Sequence, residues 1–78
     1  MNKKVDIQSS LRSLKDKWPS SVVARTQVEE FSGGALKKGV MANYDSRGMG
    51  PESFKIGRKK VYPVDGLIDW MLERASTE

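Results

Sequence analysis

Apolar residues recur at helical spacing near both ends of this chain, and between them they alternate strictly with polar ones at a single short stretch. At the start, Ile7, Leu11 and Leu14 fall on one face of a short amphipathic helix over Asp6 to Lys17. Ser9, Ser10 and Ser13 dilute that face, and Trp18-Pro19-Ser20-Ser21 breaks the helix, because the residue before a proline is pushed out of the right-handed helical region. The pattern reads as a frayed or loosely docked arm over residues 1–17, with a domain over 18–78. At the far end Val64, Leu67, Ile68, Met71 and Leu72 mark the buried stripe of a helix reaching about Ala75, and Pro63 suits its first position.

Between these ends the punctuation is denser. Thr26-Gln27-Val28-Glu29 has the form of a capping box, predicting a short helix from Gln27 to Phe31 with Val28 and Phe31 inward. Ser32-Gly33-Gly34 ends it, and a second helix runs from about Lys37 to Ser46 with Leu36, Met41 and Tyr44 as its apolar face. Gly39 inside that helix costs about 1 kcal/mol against alanine, a weakness that asks for a compensating reason. Phe54-Lys55-Ile56, a turn at Gly57-Arg58-Lys59 and the return Lys60-Val61-Tyr62 read as a β-hairpin. The order helix-turn-helix, hairpin, helix is that of a small α+β winged helix-turn-helix. Phe31, Leu36, Ile56, Leu67 and Met71 are expected to be buried together, with Phe54, Tyr44 and Tyr62 also inward.

Seventy-eight residues make one domain with one small core, burying roughly 60% of the unfolded chain's surface. There is no apolar run of the ~18 residues a membrane span needs, and no apolar signal segment follows the basic N-terminus. The expected location is therefore cytoplasmic. The chain has no cysteine and no histidine, which removes disulfides, thiol nucleophiles, the commonest metal ligand and the usual neutral-pH base. No enzyme activity, cofactor or metal is expected. Asp65, Asp69 and Glu73 lie at i, i+4, i+8 and read as a solvated acidic face rather than a metal cluster.

Charge changes the picture through its placement. The chain carries 14 basic and 10 acidic residues, a net +4, yet residues 36–62 hold seven basic against two acidic ones. All the excess positive charge lies in the central third, as attraction to a polyanion requires; a solvated basic surface is the alternative.

Val23-Ala24-Arg25, Phe31-Ser32-Gly33-Gly34, Ala42 to Pro51 and Phe54-Lys55-Ile56-Gly57-Arg58-Lys59, with the closing Tyr62 to Trp70, resemble the small excisionase-type DNA-binding proteins. The resemblance covers about Trp18 to Ala75. It implies a winged-helix fold akin to the DNA-binding head of MerR-type regulators, and the biology of phages or integrative elements. Such proteins act as recombination directionality factors beside an integrase, and relatives regulate transcription. Two departures stand out: Lys37-Lys38-Gly39 stands where a better capping residue usually opens the recognition helix, and the chain as read stops before any long dimerisation helix. Partners implied are double-stranded DNA, an integrase, or further copies on adjacent sites, with no membrane and no small-molecule substrate. Two other functions stay open: the DNA-recognition subunit of a phage packaging terminase, and a protein-interaction adaptor with the same fold.

The candidate DNA-binding residues are Lys37, Lys38, Asn43, Arg47, Lys55, Arg58, Lys59 and Lys60. Lys37 and Lys38 suit phosphates, since an ammonium has no fixed geometry. Asn43 offers a bidentate pair to adenine or, alternatively, a local backbone hydrogen bond. Arg58 and Lys59 at the wing tip suit the minor groove, or merely guard a sheet edge. Lys55 and Lys60 flank the wing as backbone contacts, and Arg47 either meets phosphate or pairs with Asp45. Trp18, Trp70 and Tyr62 are expected in the core.

Overall fold

Hairpin formation at the middle of the chain follows from one glycine. A computed structural model describes residues 5–77, and in it Gly57 has φ +63° while the following Arg58 does not enter the left-handed region. A positive φ at the first central residue alone is the pattern of a type II′ turn, whose twist matches the flanking strands. It joins β2 (Phe54–Ile56) to β3 (Lys59–Pro63), with Ile56 opposite Lys59 and Phe54 opposite Val61. A third strand that periodicity did not reveal, β1 (Val22–Ala24), pairs antiparallel with the other side of β3. The sheet order is β1-β3-β2.

The helical part comprises α1 (Ile7–Lys17), α2 (Val28–Phe31), α3 (Lys38–Ser46) and α4 (Val64–Arg74), with a 3-10 turn over Arg25–Gln27 before α2. The result is a small α+β structure with four α-helices and a three-stranded antiparallel sheet among the described residues, an arrangement compatible with a winged helix.

Both inner helices end in the same way. Beyond α2, the N–H of Gly33 donates to the carbonyl of Glu30 and that of Gly34 to Glu29; beyond α3, Gly48 donates to Asp45 and Met49 to Tyr44. These are paired Schellman closures, each with a glycine at positive φ in the first position past the cap. The opening of α2 departs from expectation. Thr26 and Glu29 do not form a capping box; the Gln27 side chain instead reaches back to accept from the N–H of Ala24 at 3.3 Å. The 3-10 turn moves the helix start one residue on, and Glu29 is drawn to Lys37 instead.

The core lies between the sheet and helices α2, α3 and α4. Val23 and Tyr62 enter it from the sheet, Val28 and Phe31 from α2, Met41 from α3, and Val64, Leu67, Ile68, Trp70 and Met71 from α4. Leu36 and Tyr44 are only partly buried and pack against its margin, whereas Leu36 is expected inside it. Trp70 stacks edge-on against Tyr44 at 5.1 Å, and the Arg74 guanidinium sits 4.0 Å over the Trp70 ring, tying α4 to the end of α3. Pro63 is the residue before α4 rather than its first member, still closing β3.

One expectation fails at the hairpin. Ile56 and Phe54 are not inward: they are 58% and 47% exposed. Alternation along β2 puts them on the sheet face away from Lys55, and no helix covers that part of the hairpin. The arm expected over residues 1–17 is helical over most of its described part, as the spacing of Ile7, Leu11 and Leu14 predicts. Residues Ile7–Lys17 form a helix capped by Asp6, whose carboxylate accepts from the N–H of Ser9 at 3.0 Å. Leu11 and Leu14 pack against the core, and Arg12–Asp69 and Lys15–Asp65 ion pairs, both 3.1 Å, tie the helix to α4. The serines that dilute its apolar face point elsewhere, and two leucines one turn apart suffice for docking. Residues 1–4 of the expected arm, and residue 78, lie outside the described residues.

Candidate nucleic-acid interface

The apolar side of α3 is set by Met41, so the rest of the helix is divided by spacing. Ala42, Asp45 and Ser46 face the hairpin, with Lys38 one turn before Ala42 on the same row. Val40, Asn43 and Arg47 form the neighbouring ridge, lining a shallow depression together with Tyr44. Between α3, the 3-10 turn and the hairpin lies a cleft of about 460 Å³, lined by Arg25, Thr26, Ala42, Asp45, Lys55, Arg58, Lys59 and Lys60 among others. Five of these are basic and one is acidic.

The ladder register sharpens the charge argument. Lys55 stands directly opposite Lys60 across the β2–β3 pair. Like charges at that spacing destabilise a sheet, and neither lysine has an acidic partner. Indeed Lys38, Arg47, Lys55, Arg58, Lys59 and Lys60 form no ion pair among the described residues. Acidic groups collect elsewhere: Glu52, Asp69 and Glu73 line a separate depression beside Gly66 and Trp70, sharing no residue with the basic cleft.

The eight sequence-derived candidates divide into three groups. Lys55, Arg58, Lys59 and Lys60 are brought together in the cleft. Lys38, Asn43 and Arg47 lie on the solvent side of α3 beside it, and the Asn43 side chain makes no hydrogen bond among the described residues. Lys37 stands apart: it precedes α3 without capping it through its side chain, and its Nζ lies 2.7 Å from Glu29. Arg47 does not pair with Asp45. It closes α3 through its backbone N–H, and Asp45 turns the other way.

Asp45 meets residues that spacing alone did not associate with it. Its Oδ2 accepts from Arg25 Nη2 and from the Tyr62 hydroxyl, each at 2.6 Å, and Arg25 Nε donates to the Tyr62 oxygen at 3.2 Å. The hydrogen bonds to Tyr62 and then to Asp45 raise the Arg25 pKa further above its ordinary value. Burial pushes the Tyr62 hydroxyl up, and its hydrogen bond to Asp45 adds to that. Arg25 was missed as a lining residue, as were Thr26 and the exposed Val40, because nothing local marks them. A match to Arg25 needs the 20-residue step to Asp45 and the 37-residue step to Tyr62.

No group of acidic residues that could hold a metal ion occurs among the described residues. No helix there is long and apolar enough to cross a membrane. Comparison with known protein families, curated proteins and solved structures finds no match to this chain.

Proposed function

We propose that this chain is a winged-helix protein that binds double-stranded DNA without catalysing a reaction on it. We place it as an excisionase-like recombination directionality factor or a small transcriptional regulator, acting in the cytoplasm where such DNA is found. In this reading α3 enters the major groove, as the second helix of a helix-turn-helix does, and the β2–β3 hairpin is the wing. Val40, Asn43 and Arg47 form the ridge presented to base edges, Asn43 through an amide pair and Val40 through contact with a thymine methyl. Lys38, Lys55 and Lys60 grip the backbone, and Arg58 and Lys59 at the wing tip reach the minor groove.

One observation supports this above the rest: unneutralised basic residues, including two lysines opposed across a strand pair, surround a cleft between a helix and a hairpin. A fold gains nothing internally from that repulsion. An adaptor with this shape has no need of it, whereas a polyanion removes its cost.

The experiment is a salt titration with footprinting on duplex DNA. Contact with about five phosphates gives a log–log salt slope near −4 to −5. Replacing Arg58 and Lys59 together by alanine should weaken binding to every sequence and make the slope shallower. Asn43→Ala should instead relax preference at one base step by about 1–3 kcal/mol and leave the slope nearly unchanged. Absence of duplex binding in the wild-type chain would sink the proposal.

A further inference from the structure

We propose that Arg25 is a phosphate-contacting residue of this cleft, with Asp45 and Tyr62 as the residues that position it; the inference rests on the DNA-binding reading above. Three elements meet here. Arg25 comes from the 3-10 turn, Asp45 from α3 and Tyr62 from β3. Tyr62 is fully buried, the Asp45 side chain is 8% exposed, and the Arg25 side chain is 30% exposed. The two anchors are therefore enclosed and the guanidinium emerges from between them.

A guanidinium has five N–H donors in a planar fork. Nε is committed to Tyr62 and one Nη2 hydrogen to Asp45, while the remaining donors, both on Nη1 and one on Nη2, meet no acceptor among the described residues. That free edge belongs to a side chain lining the same cleft as Lys55, Arg58, Lys59 and Lys60. An unrestrained surface arginine loses rotamer freedom when it grips an oxyanion; this one has surrendered that freedom on folding. The triangle closes through the 2.6 Å bond from the Tyr62 hydroxyl to the same Asp45 oxygen, so the fork's plane is set from two directions. Two parallel donors on a fixed plane match the two oxygens of a phosphodiester. The position favours phosphate over a base: Arg25 sits on the hairpin side of α3, away from the Val40–Asn43–Arg47 ridge.

The raised pKa of Arg25 agrees with this arrangement, since its positive charge is secured by both neighbours. Asp45 offsets that charge within the cleft. Arg25 therefore contributes geometry more than net attraction, which separates its role from that of the wing.

The test follows the Arg25 side-chain N–H resonances of the full-length chain by NMR as a short mixed-sequence DNA duplex is added. They are expected to shift along with the backbone amides of the hairpin and to saturate at the same duplex concentration. Unmoved Arg25 signals beside shifting hairpin amides would overturn the inference and leave the DNA-binding reading intact. In parallel, Arg25→Lys keeps the charge and removes the fork; duplex affinity should fall about tenfold with an unchanged salt slope. Wild-type affinity in an Arg25→Lys chain with a native amide spectrum would also overturn it. Should that variant not fold, the wild-type resonances decide. A wild-type chain that binds no duplex removes the parent reading, and this inference with it.

Discussion

Tyr62 joins two jobs that usually belong to different residues. Its ring is fully enclosed in the core, while its hydroxyl bonds to Asp45 and Arg25 at the edge of the cleft. Burial raises its pKa above the ordinary 10.0, so the folded chain holds the phenolic proton more tightly than the unfolded chain does. The stability this gives is complete below the unfolded value of about 10 and is lost as pH rises through the folded one. Tyr62→Phe is therefore expected to cost about 0.5–1.5 kcal/mol near neutrality and to flatten the alkaline decline, as measured by urea unfolding between neutral and alkaline pH. Gly39 behaves differently. It has no positive φ, and a β-carbon there would meet nothing within 4 Å, so neither backbone nor packing demands glycine. Gly39→Ala should stabilise the chain by about 0.5–1 kcal/mol in thermal or urea unfolding. Weaker duplex binding by that stabilised variant would identify close approach of DNA as the reason for the glycine.

Among the α-helices, α1 is held least firmly. It has no fully buried residue, and its two ion pairs with α4 are more than half exposed, where such pairs contribute about 0–1 kcal/mol each. Its amides should exchange roughly tenfold or more faster than those of α4, opening without global unfolding. Equal protection in both helices would mean that α1 unfolds only with the rest. How well each element could be read from the chain depends on where its stabilisation comes from. Helix α4 was legible because its apolar residues recur at i, i+3, i+4, i+7 and i+8, and the hairpin because Gly57 announces its turn. Strand β1 was not, being three residues long and stabilised by pairing with β3 some forty positions away. Alternation at Phe54-Lys55-Ile56 marked a strand, yet period two cannot say which face another element will cover. The basic half of the site was visible as a local run of charge. The Arg25–Asp45–Tyr62 triangle was not, because no spacing rule connects three residues drawn from a turn, a helix and a strand.

At the scale of the whole molecule, charge is sorted. Basic residues surround the cleft between α3 and the hairpin, and Glu52, Asp69 and Glu73 share a depression apart from it. If the chain binds DNA as proposed, that sorting bears on the time before contact as well as on the complex. A particle with separated charge feels a torque in the field of a polyanion, so on the proposed reading the basic cleft is turned toward the duplex while the two are still diffusing. Within about one Debye length, ~10 Å at 0.1 M salt, orientation is selected instead of searched for at random. Stopped-flow association should therefore slow steeply with added salt, and the Arg58 and Lys59 double alanine variant should lose much of its affinity in the association rate at low salt. A loss confined to faster dissociation would contradict this. Under the proposed function, the lysines that repel each other across the hairpin would thus act at a distance as a heading, favouring the basic cleft as the side of the molecule that reaches DNA first.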